Sequence, residues 1–177
     1  MDGNTPSPSI TSSGLSATGE SAHDRVIVET HAGSERIALI ADSFRRVTGN
    51  TLLPPDGNLD PASAIWRAPM VVLAHGTEAD PVFFYGNRLA LDLFEASADA
   101  FINLPSRFSA EPMERQERAR FLAQVADHNC ITDYSGIRIS QTGQRFRIER
   151  ATVWNLLDAD GAIHGQAACF DRWAPVT

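Results

Sequence analysis

Arg150 is the polar residue whose place in the pattern is most unusual. Within residues 145–156, counting by two from Phe146 and Ile148 puts Arg150 on the apolar face of a predicted strand. A guanidinium buried there needs a partner, because an unpaired buried charge is costly. Candidates for a structural ion pair are Glu95, Glu111 and Asp133. The functional alternative is a fork that binds a carboxylate or similar anion in a cleft, and a register-shifting β-bulge is a third.

Arg107 and Ser109 lie in an irregular stretch that leads into a helix predicted from Pro112 to about Asp127. The N-terminal amides and the dipole of a helix can receive an anion, so these two residues are candidates for one wall of a binding site. The alternative for Ser109 is that it caps the helix. In that helix, Arg118 follows Glu114 by four residues, a spacing that favours attraction between their charges.

Four more residues are candidates for a ligand site. Tyr85 and Trp154 are large amphipathic side chains at the edge of an expected cleft, although such residues are more often part of a core. Gln166 is able to hydrogen-bond a ring ligand, or to serve as an amide at a sheet edge. Asn87 follows a predicted strand directly and is also well placed to cap the next helix.

The patterns of well-known catalytic and metal sites are missing from the sequence. It has no Gly-x-Ser-x-Gly elbow, no Gly-rich phosphate loop and no paired histidines at helical metal spacing. His75 and His164 each precede a glycine and are interpreted as turn residues. The two cysteines, Cys130 and Cys169, have neither disulfide density nor metal-ligand spacing. We therefore expect a binding module and no metal, with an enzyme as the less favoured alternative.

Composition restricts the partners and the compartment. The 177 residues carry a net charge of -7, which argues against a nucleic-acid partner, because phosphate binding needs clustered Lys and Arg. No basic segment followed by an apolar run opens the chain, and no apolar stretch approaches the roughly 18 residues of a membrane span. Together with the sparse cysteines, these features predict a soluble cytoplasmic protein that does not bind membranes.

The N-terminal part has two predicted segments. Residues 1–22 are mainly small and polar and are predicted to be a disordered tail. Residues 34–48 then form an amphipathic helix with Ser34 as its cap and Gly49 as its stop. Its apolar face is formed by Ile37, Ile40, Phe44 and Val47. That face either docks on the sheet of its own domain or pairs with a second copy, which would make the protein a homodimer.

The rest of the chain predicts an antiparallel sheet with helices inserted into it. Residues 70–74 and 82–85 are two apolar strands joined by a Gly-containing turn, and helices follow from Asn87 to about Asp127. Residues 134–170 alternate in three strands separated by two further turns. The order gives an α+β fold, a five-stranded antiparallel sheet with helices inserted after strand 2, and a cleft between helices and sheet.

This element order resembles that of PAS domains, and the sequence is similar to the MEKHLA family, a PAS-like group. Four stretches carry most of the resemblance: Tyr85-Gly86-Asn87-Arg88, Leu104-Pro105-Ser106-Arg107, Asp133-Tyr134-Ser135-Gly136 and Ala151-Thr152-Val153-Trp154-Asn155-Leu156. The family occurs in the C-terminal regions of plant class III homeodomain-leucine zipper proteins and in small stand-alone microbial proteins. The resemblance covers about residues 34–173, and we expect the stand-alone microbial type, without DNA binding.

The resemblance implies a PAS-like fold and a sensory or regulatory role, without supplying a ligand. Flavin photosensors of this fold carry a cysteine in the segment that here reads Leu104-Pro105-Ser106-Arg107-Phe108-Ser109, so a covalent flavin adduct is not expected there. A non-covalent flavin, or no cofactor, remains open. Haem-binding PAS domains use a histidine on the long helix. Haem is not expected here, because His128 comes only at the end of that helix, where a histidine interacts favourably with the helix dipole.

Two functions follow. The first is a sensory module that binds a small ligand or a signalling protein and acts through altered dimerisation. The alternative is a small cone-shaped α+β enzyme of the NTF2-like type, such as an isomerase or cyclase. That fold places its long helices before most of its strands, whereas here two strands precede the main helices, which favours the sensory module.

Overall fold

The computed structural model describes the backbone of residues 20–177 and the side chains of all of these except 20, 21, 113 and 114. Residues 1–19 of the predicted tail lie outside this range. Residues 20–22 begin a helix that the sequence analysis did not predict. This helix is held by the buried side chains of Val28 and Ala32, and Arg25 pairs with Glu29 one turn later at 2.7 Å.

Along the described chain, three helices are followed by two strands, three further helices and four strands, so the predicted elements keep their order. The helices are α1 (Glu20–Ala32), α2 (Ser34–Thr48), α3 (Pro61–Trp66), α4 (Arg88–Phe94), α5 (Ala98–Phe101) and α6 (Pro112–His128), with a 3₁₀ turn at Ser106–Ser109. The strands are β1 (Val71–His75), β2 (Phe83–Gly86), β3 (Cys130–Ile139), β4 (Arg145–Leu157), β5 (Ile163–Phe170) and β6 (Arg172–Pro175). Helices α1 and α3 and strand β6 are added to the predicted elements. Among residues 20–177, no helix is long and apolar enough to pass through a bilayer.

The sheet is antiparallel, with the strand order β2-β1-β5-β4-β3. The last strands therefore return beside the first, as predicted. A sixth strand, β6, pairs with residues 146–149 of β4. The sequence analysis missed β6 because it is only four residues long and ends in a proline, a composition typical of an edge strand.

Helix α2 packs on the sheet of its own domain. Ile37 and Ile40 are buried, and the Phe44 ring meets Trp154 of β4 edge-on with 4.9 Å between centroids. Val47 packs against the same core. Of the two predicted arrangements for this face, the single chain has the first, so the face is not free for a second copy. The helix is capped by Gly33 rather than by Ser34, and it ends at Gly49 in the left-handed conformation.

Two β-bulges break the alternation between β3 and β4. Residues 149–150 of β4 lie opposite the single residue Ser135, and residues 132–133 of β3 lie opposite the single residue Thr152. Arg150 and Asp133 adopt positive φ angles of 53° and 62° at these bulges. Because each bulge adds one residue, the side chains of β4 change faces after Ile148.

The bulge overturns the prediction that Arg150 lies on the apolar face. Arg150 is exposed, and the β-bulge alternative is the one that the structure contains. Beyond the bulge, Val153 faces the same side as Ile148, because it pairs with Ile131 of β3 and Ala168 of β5. Trp154 points to the opposite side, toward α2.

Candidate functional site

A cavity of about 60 Å³ lies between the sheet and the helices α4 and α6. Strands β1, β3, β4 and β5 form its floor, and the 3₁₀ turn closes one end. Most of the wall is apolar, including Phe94, Phe121 and Val153. Six polar side chains also face it: His75, Ser109, Arg118, Tyr134, Arg138 and Gln166. They come from five different elements, so the fold brings together groups that are distant in sequence.

Arg138 of β3 is fixed at the cavity wall by its own strand. Its side chain is almost fully buried, with 7% of its surface exposed. Nη2 donates to the Tyr134 hydroxyl at 2.7 Å, and Nη1 donates to the carbonyl oxygen of Ile137 at 2.8 Å. The Phe121 ring of α6 then packs edge-on against Tyr134 at 4.7 Å. The guanidinium is therefore pre-positioned, and donors remain on it for another partner.

Arg118 faces the same space from α6. Burial lowers the pKa of its guanidinium to about 10, and repulsion from the Arg138 charge acts in the same direction. At neutral pH Arg118 therefore still carries its proton, and two positive charges share one wall. The Glu114 side chain lies outside the described residues, so the predicted attraction between Glu114 and Arg118 stays a prediction.

His75 ends β1 at the opposite side of the cavity. The sequence analysis placed it in a turn, but it is buried and lines the wall. Burial lowers its pKa, so the neutral ring is favoured, and Nδ1 donates to the carbonyl oxygen of Gly76 at 2.9 Å. Gly165 of β5 fits against this residue closely, since a Cβ at position 165 would lie 2.1 Å from the His75 carbonyl oxygen.

Two of the seven residues predicted to bind a ligand line the cavity, Ser109 and Gln166. Ser109 is not the cap of α6. Its hydroxyl donates to the carbonyl oxygen of Ser106 at 2.7 Å, and Glu111 occupies the cap position without a side-chain bond. Gln166 pairs with His75 across β1 and β5, which places both side chains on the cavity face.

Asn87 and Arg107 have other roles. Asn87 is fully buried, caps α4 by accepting from the Ala90 amide, and also accepts from the Val72 amide. Its amide group donates to the carbonyl oxygens of Ile65 and Met70. Asn87 thus joins the strands to α4. Arg107 is exposed, pairs with Asp80 at 2.9 Å and does not line the cavity.

Tyr85 and Trp154 lie on the other face of the sheet, which corrects their predicted place at the cleft. Tyr85 pairs with Ala74 rather than with a cavity residue, and burial raises the pKa of its hydroxyl. Trp154 donates from Nε1 to the Ser43 hydroxyl of α2 at 3.1 Å. Both misplacements arise from bulges, one near Ala74 and His75 and one at Arg150, that change which side chains share a face.

The sequence analysis missed Arg118, Tyr134 and Arg138, although signals for two of them were present. Residues 118, 121, 122 and 125 share the helical face of α6 that lines the cavity, so the helical spacing groups Arg118 with its apolar residues. Across the hairpin, Arg138 pairs with Phe146, which was already assigned to the apolar face. Pairing the two strands through their turn would therefore have placed Arg138 inside.

The cavity does not fit the cofactors considered for this fold. About 60 Å³ is well below the roughly 300–1,000 Å³ of sites for drug-sized ligands, and a flavin ring system needs such a site. Neither Cys130 nor Cys169 is among the lining residues. His128, the histidine considered for haem, is exposed and bonded to Gln124. Among the side chains that the structure describes, no group of His, Cys, Asp and Glu is arranged to hold a metal ion.

Curated relatives are plant proteins. The chain is 25% identical over 162 residues to homeobox-leucine zipper protein HOX10 of Oryza sativa subsp. indica, covering 90% of this chain and 19% of that protein. It is 28% identical over 138 residues to homeobox-leucine zipper protein ATHB-8 of Arabidopsis thaliana, covering 76% of this chain and 16% of that protein. The chain thus spans less than one fifth of the length of these relatives.

Solved structures with the same fold are PAS and light-oxygen-voltage domains. A PAS domain from Colwellia psychrerythraea superposes with a TM-score of 0.55 at 13% identity, covering 66% of this chain and 93% of that one. A light-oxygen-voltage domain studied with a flavin analogue gives 0.53 at 14% identity, covering 66% and 84%. These matches confirm the predicted PAS-like fold.

The MEKHLA domain matches residues 34–175, which is most of the chain and includes every residue that lines the cavity. The predicted boundaries of 34–173 differ from this match by two residues. The stand-alone microbial type stays a prediction, because the curated relatives described above are plant homeobox-leucine zipper proteins. The chain belongs to the MEKHLA domain family and has a PAS-like fold.

Proposed function

We propose that this chain is a PAS-like sensory or regulatory module that holds a small ligand in the cavity between its sheet and α6. The observation that carries the proposal is the convergence of six polar side chains on a mainly apolar cavity. Small-molecule sites combine apolar walls with a few placed polar groups in this way. Four of the six side chains also have hydrogen-bond partners within the domain, but donors remain on Arg138 for a ligand, whereas Asn87 uses both its side-chain oxygen and its amide group within the domain.

Strand β4 supplies a short route from the cavity to the outside of the domain. Val153 lines the cavity, and its neighbour Trp154 contacts Phe44 and Ser43 of α2 on the opposite face. A ligand that moves β4 therefore changes how α2 packs on the sheet. The output would be altered docking of the N-terminal helices, which a signalling protein can read.

The test combines native mass spectrometry with an absorption spectrum on the full chain purified from its own host. Ala168→Leu fills the cavity from β5, and Ala38→Leu adds the same side chain at an exposed position of α2. We expect a bound mass on the wild type and on Ala38→Leu that is lost from Ala168→Leu, while circular dichroism stays unchanged. A wild-type protein without bound mass, or a mass retained by Ala168→Leu, would contradict the proposal.

The homodimer, a signalling-protein partner and the cytoplasmic location remain part of this proposal. Since α2 uses its apolar face within the chain, a dimer would need another surface. Light scattering of the full chain at several concentrations measures the dimer directly, and a monomer at all of them would remove it. The free thiols of Cys130 and Cys169 support a reducing compartment.

A further inference from the structure

The charge of the cavity wall points to the class of the ligand. Arg118 and Arg138 both face the space, and none of its lining residues in the described part of the chain is an aspartate or glutamate. Low-polarity surroundings strengthen interactions between charges. Two guanidiniums facing one small apolar space are stabilised when a negative charge is bound between them.

Three described carboxylates, in the segments that join the elements around the cavity, already have partners within the domain. Glu95 accepts hydrogen bonds from the hydroxyls of Ser140 and Thr142. Glu111 pairs with Arg145 at 2.5 Å, and Asp80 pairs with Arg107. None of these three residues lines the cavity. The described wall carries two guanidiniums and no carboxylate.

We infer that the cavity binds a short-chain carboxylate, with its head group on Arg118 and Arg138 and its apolar part against the phenylalanines and aliphatic residues of the wall. This inference rests on the proposed ligand-binding function and names its ligand class. A guanidinium matches a carboxylate through two parallel N–H donors. Tyr134, Ser109 and Gln166 add neutral groups for hydrogen bonds, and a volume of about 60 Å³ suits a molecule with only a short tail.

Isothermal titration calorimetry tests this with sodium propionate and its neutral isostere propionamide on the full chain, at matched ionic strength. We expect one propionate per chain and an affinity at least about tenfold above that of propionamide, the difference that a charge-assisted hydrogen bond of about 1.5–3 kcal/mol supplies. Arg118→Gln should reduce propionate affinity by about tenfold or more. The matched control is Arg107→Gln, since Arg107 is exposed and lies outside the cavity, and it should change affinity less than twofold.

A second variant distinguishes a lost ligand contact from misfolding. Arg138→Lys keeps the charge but loses the planar fork, and it should also weaken propionate binding while the thermal midpoint stays close to that of Arg107→Gln. In Glu114→Gln, the affinity should stay within twofold. A rise in propionate affinity of more than tenfold in Glu114→Gln would show that the Glu114 carboxylate occupies the binding site for the ligand, and would overturn the inference.

The two proposals fail in different ways. Equal affinities for propionate and propionamide would overturn the assignment of a carboxylate ligand. A neutral ligand in the native mass spectrum, with no heat of binding from propionate, would do the same. Both results leave the ligand-binding function in place. Loss of propionate binding in Arg107→Gln equal to that in Arg118→Gln overturns the assignment to this wall. Absence of any bound mass together with absence of propionate binding overturns both.

Discussion

The two faces of the sheet are packed in different ways. On the face toward α2, Trp154, Phe44 and Ile40 fill the space, and Trp154 donates from Nε1 to the Ser43 hydroxyl. On the face toward α6, a cavity remains, and Arg118 and Arg138 point into it. One strand, β4, serves both faces through adjacent residues. Under the proposed function, the first face provides stability and the second binds the ligand.

Trp154→Ala gives the largest expected effect and tests the filled face. Removing a fully buried tryptophan should lower the free energy of unfolding by about 3–5 kcal/mol. Phe121→Ala on the cavity face should cost less than about 2 kcal/mol, because that ring is partly exposed and borders existing space. Urea unfolding monitored by circular dichroism measures both. Equal losses would mean that the two faces are packed alike.

Asn87→Ala should lower the free energy of unfolding by about 2–3 kcal/mol, because it leaves buried backbone groups without partners. Its matched control is Asn103→Ala, since Asn103 is exposed and bonds only the Asp99 carbonyl among the described side-chain contacts, and it should stay within about 0.5 kcal/mol of wild type. Propionate affinity measured per folded molecule should not change in Asn87→Ala. A loss of propionate affinity in Asn87→Ala but not in Asn103→Ala would show that Asn87 belongs to the binding site.

His75 makes the cavity face sensitive to pH. Its folded pKa lies below the unfolded value of 6.5, so below pH 6.5 the unfolded chain binds the extra proton first. Stability should therefore fall as the pH drops from 6.5 toward the folded pKa, and it should be independent of His75 above that window. The measurement is the difference in unfolding free energy between wild type and His75→Gln at pH 7.5 and 5.5. A constant difference would contradict the burial of His75.

Arg150 tests the bulge that separates the two faces, with the smallest effect. Arg150→Gly should leave stability unchanged or raise it by up to about 1 kcal/mol, because glycine adopts a φ of 53° without strain. Arg150→Val should lower it by about 1–2 kcal/mol. In an unbroken strand the order would be reversed, since valine favours strands and glycine weakens them. Thermal unfolding of the two variants shows which of them is more stable.

The sequence was sufficient for the order of the elements and insufficient for the faces of the strands. Periodicity and turns placed β1, β2, α6 and the final strands, because those signals are local. The bulge at Arg150 arises from pairing with β3, which no local pattern shows, and it moved both Arg150 and Trp154 off the predicted face. Arg138 was the opposite case, since its pairing with Phe146 through a short turn was available to sequence reasoning.

Helix α1 was missed because the signal that fixes it is tertiary. Its apolar residues are sparse, and it packs against β2, α5 and α2, which are distant from it or follow it in the chain. The small volume of the cavity was equally hidden, since it depends on how closely α6 approaches β3. Composition gave an expectation about classes of partner but did not identify a ligand.

Methyl NMR of isoleucine-labelled protein during a propionate titration tests the difference between the two faces most directly. Ile131 and Ile148 line the cavity, whereas Ile37 and Ile40 are buried residues of α2 on the other side of the sheet. The account predicts that Ile131 and Ile148 show the largest shifts, that these saturate together, and that Ile37 and Ile40 move much less. Shifts of equal size on both faces, or no saturable shift at Ile131 and Ile148, would contradict it.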